Sequence, residues 1–199
     1  MATILFVRHG DHKQNVLTPE ARADAIQLGE DLKKDGHVIK YCSSSPLGRC
    51  LQTALCILQG YGKILPIDTI RELGDISTDE KLPQGFMDDW KQMAMDKFGG
   101  TSDVDLARAM LLDDGMMMHM LRRAHEGAKV LSYISTWHPH DTTLVVSHAV
   151  ARMEPTLRQL LGKKDVLAIP DDELIARGEC MEVEMVGSKV ISLRKFKLT

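Results

Sequence analysis

Three residues near the N-terminus, Arg8, His9 and Gly10, directly follow an apolar run at residues 4–7. This short run of β-branched and aromatic residues predicts a buried strand that ends at the glycine. Side chains just past the end of such a strand emerge at the carboxyl edge of an open α/β sheet, where ligands usually bind. A guanidinium matches the oxygens of a phosphate group, and a neutral imidazole is a nucleophile near pH 7. The tripeptide is thus suited to phosphate chemistry, although a solvated arginine beside a core histidine would have the same sequence.

A second strand-to-helix junction carries another arginine at the start of a helix. Residues 40–44 predict a short strand, and residues 50–58 predict the helix that follows it. Ser45 has the side chain of a helix cap, and Pro46 suits the first helical position. Arg49 then lies in the first turn, where free backbone N–H groups and the helix dipole already attract an anion. Because a cation is unfavourable there by itself, Arg49 indicates a bound anion.

A third junction adds a second histidine. Residues 142–146 have the clearest buried-strand pattern of the chain, and His148 follows them just before a predicted helix over 150–161. The carboxyl ends of parallel strands meet at one edge of a sheet, so the three junctions converge there. The sequence therefore predicts one shared site, formed by Arg8, His9, Arg49 and His148.

The alternation of strands and helices along the chain predicts an α/β protein. We expect a three-layer α/β/α sandwich with a mostly parallel sheet and a terminal antiparallel hairpin. The other predicted elements are a helix that begins at Thr18 and Pro19 and ends near Gly36, a strand over 64–67, a long helix over 116–137, and a hairpin of 180–185 with 190–194. Residues 74–114 break the alternation. We interpret them as an insertion over the sheet edge, within a single domain that spans residues 1–199.

These residues together resemble the histidine phosphatase superfamily, the phosphoglycerate-mutase-like proteins. The resemblance is collinear and extends from residue 3 to about residue 162, which makes it far more specific than any one motif. The matching pieces are Arg8-His9-Gly10 with Asn15, then Leu17-Thr18-Pro19-Glu20 with Arg22, Ala25 and Leu28-Gly29, then Ser44-Ser45-Pro46-Leu47-Gly48-Arg49 with Gln52-Thr53-Ala54, then Arg71-Glu72, and finally Val145-Val146-Ser147-His148. The resemblance implies a phosphoglycerate-mutase-like fold.

The resemblance also implies a mechanism. His9 would attack phosphorus through one ring nitrogen and form a phosphohistidine, while the other nitrogen is held as N–H. Arg8 and Arg49 would hold the phosphoryl oxygens, with His148 as a further donor. The substrate-binding residues expected around this centre are Asn15, Gly10, Asp11 and His12. We expect no metal and no other cofactor, because the arginines supply the positive charge.

A proton donor to the leaving oxygen is also needed, and Glu72 occupies the position where one branch of the superfamily has it. The alternatives are Asp75 and then Asp11, although Asp11 is better suited to ordering its loop. The structural alternatives for Glu72 are a solvated loop acid and a partner of Arg71.

Departures from the family pattern bear on specificity. Gly10 is followed by Asp11 and His12 where many relatives have glutamate and threonine, and we interpret His12 as a surface residue or a substrate contact. The segment after Glu72 lacks the glycine-tryptophan-glutamate-glycine pattern of the cofactor-type mutases. We therefore predict a metal-independent phosphatase acting on a small phosphorylated metabolite or a phosphoprotein. The alternatives are a phosphoglycerate-type mutase and a non-catalytic member that binds phosphate.

Composition excludes several other classes. The chain has 199 residues, a formal net charge of −3 and no basic stripe, so we expect no nucleic-acid partner. No apolar run reaches membrane-spanning length and none has the pattern of a signal peptide, so we expect a cytoplasmic protein without membrane association. The four cysteines lack metal-ligand or redox spacing, and we expect them to be reduced and mostly buried. The terminal hairpin would allow a homodimer.

Overall fold

The structure, a computed structural model, describes residues 1–74, 86–149, 152–167 and 175–196. Within these ranges the strands are β1 (Ala2–Arg8), β2 (His12–Lys13), β3 (Val16–Leu17), β4 (Ile39–Ser44), β5 (Ile67–Thr69), β6 (Thr142–Ser147), β7 (Cys180–Val186) and β8 (Lys189–Lys195). The helices are α1 (Pro19–Lys34), α2 (Gly48–Tyr61), α3 (Phe86–Phe98), α4 (Asp103–Met110), α5 (Asp114–Trp137) and α6 (Met153–Leu160), with a single 3-10 turn at Arg71–Leu73.

Six of the strands form one sheet in the order β5-β4-β6-β1-β7-β8. The first four are parallel to one another, whereas β7 and β8 run antiparallel as a terminal hairpin. The predicted fold class, a mostly parallel α/β sheet with a terminal antiparallel hairpin, is therefore confirmed. Strands β2 and β3 form a separate two-stranded hairpin just after β1.

The register of the central strands decides which residues emerge together at the carboxyl edge. Arg8 at the end of β1 pairs with Ser147 at the end of β6, and Ser44 at the end of β4 pairs with Val146. The three strands therefore end at the same level of the sheet. The residues that follow them in sequence, His9, Ser45 and His148, leave the sheet side by side.

The sheet has a hydrophobic layer on each face, because its central strands are buried on both sides. On one face Leu5, Val7, Leu144 and Val146 pack with residues of α1 and α2. On the other face the alternate residues of β1 and β6 pack with α5 and α6. Continuous apolar strands of this kind are typical of a sheet covered by helices on both faces.

The predicted helix start is confirmed for α1 but not for α2. Thr18 caps α1 by accepting a hydrogen bond from the Ala21 amide, and Pro19 occupies the first helical position, as predicted. The helix predicted over 50–58 is present as α2, but its predicted start was wrong, because the helix begins two residues after Pro46, at Gly48, with Leu47 at the cap position. Ser45 does not cap this helix, although its hydroxyl accepts a hydrogen bond from the Leu47 amide.

The segment that breaks the alternation contains α3 and α4 within residues 86–110. Their apolar side chains form a third cluster, which includes Trp90, Ala94 and Met110 and extends to Met116 and Met120 at the start of α5. This cluster has no buried residue in common with the two sheet clusters. Helix α4 begins with a reciprocal capping box between Ser102 and Asp105.

The remaining predicted elements are found with shifted bounds. The strand predicted at 64–67 is β5, which begins three residues later at Ile67 and lies at the sheet edge. The helix predicted over 150–161 is α6, which begins at Met153; residues 150 and 151 lie outside the described residues. Among the four cysteines, all free, only Cys56 is partly exposed. None of the described helices has the length and apolar character needed to cross a membrane.

Candidate active site

His9 lies directly after β1 and is almost completely buried. Its backbone amide donates to the Ser147 carbonyl at 3.0 Å, which continues the β1–β6 ladder by one residue. This hydrogen bond fixes the backbone at His9 and so the origin of its side chain. Its Nδ1 lies 2.8 Å from the Gly10 carbonyl oxygen, and the Arg49 Nε donates to its Nε2 at 3.2 Å. Because a guanidinium is only a donor, Nε2 carries the lone pair and Nδ1 carries the proton.

The pKa of His9 is lowered from 6.5 to about 4. Burial is the largest cause, and the positive charge of Arg49 acts in the same direction, whereas the hydrogen bond to the Gly10 carbonyl opposes both. The imidazole is therefore neutral at pH 7. A neutral ring with a fixed N–H on one side and a lone pair on the other has the form that a nucleophilic histidine requires.

Arg49 lies in the first turn of α2 and links the two histidines. Besides its contact with His9, its Nη2 lies 3.2 Å from Nδ1 of His148. Asn15 holds the other side of the residue, since its Oδ1 accepts from Arg49 Nη1 at 3.2 Å and from the Arg49 amide at 3.3 Å. Asn15 adopts a positive φ of 68° in the turn between β2 and β3, a conformation that asparagine tolerates better than most residues.

His148 follows β6 and is buried beside His9, with the two ring centroids 5.0 Å apart. Arg49 donates to its Nδ1, so its Nε2 carries the proton and donates to the Ser45 hydroxyl at 2.8 Å. The Cys50 thiol lies 3.4 Å from the same Nε2. The ring is thus held on several sides by groups from the start of α2 and the loop before it.

Arg8 ends β1 with its side chain 9% exposed. Its Nη1 donates to the Ile175 carbonyl at 2.8 Å, and its Nη2 forms an ion pair with Asp103 of α4. Its Nε is buried without a hydrogen-bond partner among the described residues. An unpaired buried N–H of this kind is rare. It leaves Arg8 with a hydrogen-bond donor that an oxygen atom of a bound ligand could accept from.

The loop after His9 is tightly packed. The Gly10 amide donates to Thr53 Oγ1 at 3.2 Å, and a Cβ atom at Gly10 would lie 2.9 Å from Ala21 Cβ, so a larger residue would shift the loop. Asp11 pairs with Arg177, which holds the pKa of the Asp11 carboxyl below its usual value. His12 is partly buried and lies edge-on to His9 with ring centroids 4.9 Å apart.

The structure gives His12 a more specific environment than a plain surface residue. Its Nδ1 is buried and has no hydrogen-bond partner among the described residues. Burial and the nearby charge of Arg49 lower the pKa of His12, so it too is neutral at pH 7. Two neutral imidazoles, those of His9 and His12, therefore lie next to the cationic guanidinium of Arg49.

Glu72 lies on the 3-10 turn Arg71–Leu73 and is exposed. The turn is held against the site, because the Ser147 hydroxyl donates to the Leu73 carbonyl at 2.7 Å and the Arg152 guanidinium donates to the Gly74 carbonyl at 3.2 Å. Within the described part of the chain, no hydrogen bond or ion pair joins Glu72 to His9, and its role as proton donor stays a prediction. Asp75, the alternative, lies outside the described residues.

Sequence reasoning missed four residues of this site. Ser45, interpreted as a helix cap, instead contacts His148, and Cys50 had no assigned role. Asp103 and Arg177, which bind Arg8 and Asp11, lie 95 residues from Arg8 and 166 residues from Asp11 in the sequence. No local pattern marks them, whereas the position of Ser45 directly after a strand at the same edge was a usable signal.

The arrangement is suited to an anion that approaches a nucleophilic nitrogen. Two arginines and two histidines converge on one buried region at the carboxyl edge of the sheet, where Asp103 pairs with Arg8. Guanidinium forks in a buried site bind phosphate-type oxygens strongly and with defined geometry.

Comparisons with known proteins give the family and the fold of this chain. Residues 4–169 match the sequence profile of the histidine phosphatase superfamily (branch 1). A comparison with curated proteins finds no match.

Several solved structures are similar over nearly the whole of both chains. A phosphoserine phosphatase from Entamoeba histolytica, solved with 3-phosphoglyceric acid, is 17% identical with a TM-score of 0.67, and 99% of this chain and 98% of that chain are covered. A phosphoglycerate mutase from Bacillus anthracis is 17% identical with a TM-score of 0.66, over 98% and 92%. A putative alpha-ribazole-5'-P phosphatase from Escherichia coli K-12 is 17% identical with a TM-score of 0.58, over 98% and 96%.

At these identities the structural similarities establish the fold, while the profile match covers well over half of the chain. Together with the convergence of Arg8, His9, Arg49 and His148 at the carboxyl edge of the sheet, they confirm the predicted resemblance. The chain belongs to the histidine phosphatase superfamily.

Proposed function

We propose that this protein is a metal-independent phosphatase that hydrolyses a phosphomonoester through a phosphohistidine on His9. The substrate would be a small phosphorylated metabolite or a phosphoprotein. One observation carries the proposal: the buried, neutral imidazole of His9 has its Nδ1 proton held by the Gly10 carbonyl and its Nε2 lone pair directed at the Arg49 guanidinium. The Nε2 lone pair faces a cationic guanidinium, and the same guanidinium would attract an anionic phosphoryl group. The phosphorus atom would therefore be held next to the attacking nitrogen.

In the first step, Nε2 of His9 attacks phosphorus and the bond between phosphorus and the ester oxygen breaks. Arg49 transfers its hydrogen bond from Nε2 of His9 to a phosphoryl oxygen, and Arg8 donates to a second oxygen. His148 binds the third oxygen once its Nε2–H has left the Ser45 hydroxyl. The departing oxygen takes a proton from Glu72 or from Asp75. The products of this step are the free alcohol and phosphohistidine.

In the second step, water attacks the phosphohistidine and gives a proton to the same carboxylate. The nitrogen–phosphorus bond breaks, inorganic phosphate leaves, and His9 returns to its neutral form. Asn15 keeps Arg49 in position throughout, because it accepts from both its side chain and its amide. The contribution of Gly10, Asp11 and His12 is to shape the loop beside the nucleophile.

The arginines supply the charge compensation that a metal ion provides in other phosphoryl-transfer sites. A guanidinium about 4 Å from an anionic oxygen contributes roughly 4 kcal/mol before desolvation is subtracted, at an effective dielectric constant of about 20. About 1.4 kcal/mol of this in the transition state changes the rate tenfold. Two arginines are therefore sufficient for a large acceleration.

A phosphoglycerate-type mutase is the second candidate, since a mutase is among the similar solved structures. It would transfer the phosphoryl group from His9 to a second hydroxyl instead of water. A non-catalytic phosphate-binding protein is a third candidate, but a nucleophile already held in its reactive tautomer supports catalysis more than binding alone.

The decisive experiment measures phosphate release from p-nitrophenyl phosphate in the presence of a metal chelator. We expect hydrolysis by the wild type, a loss of at least about a thousandfold in His9→Ala, and no change in His125→Ala, an exposed histidine of α5. Rapid quenching with labelled substrate is expected to trap acid-labile phosphate on His9.

The outcomes separate the candidates. A mutase would show little hydrolysis but would exchange phosphate between the positions of a phosphoglycerate. A binding protein would bind vanadate and turn over neither substrate. Activity that survives in His9→Ala would contradict every mechanism that begins with attack by this imidazole.

A further inference from the structure

Four charged side chains from separate segments form a continuous network beside the proposed phosphoryl site. Asp103, the first residue of α4, pairs with Nη2 of Arg8 and lies 3.7 Å from Nη2 of Arg177. Arg177 in turn pairs with Asp11 in the loop after the nucleophile. The network is electrically balanced, with two carboxylates and two guanidiniums.

A phosphoryl group that binds Arg8 upsets this balance. It uses the same guanidinium as Asp103, so two anions meet at one cation. Arg177 compensates Asp103 only weakly, because its own close partner is Asp11 and its distance to Asp103 is longer. Asp103 is 37% exposed at its side chain, so water screens the repulsion only in part, next to an Arg8 side chain that is 9% exposed.

A substrate can remove this repulsion if it brings its own cation. We propose that the site selects phosphomonoesters whose alcohol portion carries a protonated amine on the carbon next to the ester carbon, with Asp103 binding the ammonium group. This inference rests on the proposed function, because it takes the region between Arg8 and His9 as the phosphoryl site.

The geometry suits a short spacing between the two charged groups. Asp103 and Arg8 are in direct contact, so a ligand that bridges them carries its anion and its cation only a few bonds apart. In a β-amino alcohol phosphate, the phosphoryl oxygens face Arg8 and the ammonium faces Asp103. The ion pair between protein groups is exchanged for two pairs between protein and ligand, and every charge remains compensated.

Substrates of other charge lose this compensation. An ester with a hydroxyl in place of the ammonium leaves Asp103 beside the phosphoryl charge. An ester with an additional carboxylate and no amine places a third anion there. Specificity of this kind arises from an unfavourable contact with the wrong ligand as much as from a favourable contact with the right one.

The test compares two substrates that differ in one group, O-phosphoethanolamine and 2-hydroxyethyl phosphate. We expect kcat/KM to be about tenfold higher for phosphoethanolamine in the wild type, which is the size expected for one hydrogen-bonded charge pair. O-Phosphoserine and 3-phosphoglycerate, which also differ by an ammonium against a hydroxyl, provide a second pair. Equal kcat/KM values within both pairs would overturn the proposal.

Asp103→Asn is the informative variant, because it removes one charge while Ser102 and Asp105 keep the capping box of α4. We expect it to lower kcat/KM about tenfold for phosphoethanolamine and to raise it for 2-hydroxyethyl phosphate, because the carboxylate that repels an uncompensated phosphoryl group is gone, so that the preference for the amine is lost. Asp114→Asn is the control, since it also removes an acid from a first helical turn. A loss of equal size on both substrates would contradict a role for Asp103 in recognising the amine.

Binding separates this proposal from the proposed function. The dissociation constants of phosphoethanolamine and 2-hydroxyethyl phosphate are measured by calorimetry with His9→Asn, and again after Asp103→Asn is added. A preference for the amine that disappears with Asp103→Asn supports the inference even if the wild type hydrolyses neither compound. Equal affinity for the two compounds overturns it, whether or not p-nitrophenyl phosphate is hydrolysed.

Discussion

The state of His9 follows from two neighbours that act on different ring nitrogens. The Gly10 carbonyl accepts from Nδ1, and Arg49 donates to Nε2. Burial removes the water that would stabilise an imidazolium, and the arginines repel it, so the pKa falls from 6.5 to about 4. These features also link the stability of the fold to pH.

Protein stability is expected to fall in mildly acidic solution because of His9. The unfolded chain binds a proton on this imidazole near pH 6.5, whereas the folded chain binds it only near pH 4. The free energy of unfolding is therefore not reduced by this group above about pH 6.5. It falls as the pH drops from 6.5 toward 4, by about 3 kcal/mol in total. Urea unfolding of the wild type and of His9→Asn is measured at about pH 7.5 and about pH 4.5.

The comparison of the two proteins isolates this one group, because all other titrating residues are shared. We expect the free energy of unfolding of the wild type to fall by about 2.5 kcal/mol more than that of His9→Asn over this range. An equal fall in both would mean that His9 titrates normally in the folded protein.

Among the secondary-structure elements, the pair α1 and α2 has the most direct influence on the site, because α2 carries Arg49. The two helices approach closely at two glycines. A Cβ atom on Gly29 would lie 2.0 Å from the Ile57 carbonyl oxygen, and one on Gly60 would lie 1.8 Å from the Ile26 carbonyl oxygen. Both obstacles are backbone atoms, so a methyl group could fit only if the helices moved apart.

Gly29→Ala is therefore expected to destabilise the protein, although alanine is the better helix former. We expect a loss of about 3 kcal/mol in the free energy of unfolding, together with weaker binding of vanadate as Arg49 moves away from His9. Gly115→Ala serves as the control, because the added methyl group meets only the end of the Asp113 side chain. A control loss as large as that of Gly29→Ala would show that helix contact is not the cause.

At the scale of the whole molecule, apolar packing is divided into three clusters. Two lie on the faces of the sheet and meet across its strands. The third belongs to α3, α4 and the start of α5, and Asp103 connects this part of the chain to Arg8 by an ion pair. An ion pair at a partly exposed carboxylate contributes little to stability, so the third cluster depends mainly on its own contacts.

Trp90→Ala is expected to loosen this region alone. Trp90 is almost fully buried in the third cluster, and its removal is expected to lower the opening free energy of α3 and α4 by about 3 kcal/mol. Hydrogen exchange measured by mass spectrometry is expected to lose protection over residues 86–110 and to keep it in β1 and β6. Leu131→Ala, in a sheet cluster, is the control and is expected to affect the sheet. Equal loss of protection in the sheet for Trp90→Ala would mean that the clusters unfold as one unit.

Some features of this protein were determined by local sequence. The strand around residues 4–7, the cap of α1 at Thr18 and the long helix over 116–137 were predicted because burial pattern, capping and helix periodicity act between near neighbours. The structure has the strand at Ala2–Arg8 and the helix at Asp114–Trp137. The meeting of His9 and His148 was also predictable, because parallel strands of similar length end at one edge.

Other features were decided only by the tertiary structure. Ser45 has the sequence of a helix cap, but its hydroxyl meets His148, because β4 and β6 are neighbours in the sheet. Asp103 reaches Arg8 across 95 residues of chain, and nothing near either residue in the sequence marks the contact. Charged pairs act through space and depend on how helices pack. The amino-acid sequence alone was therefore enough to predict that Arg8, His9, Arg49 and His148 meet in one site, whereas the groups that surround them became visible only in the folded chain.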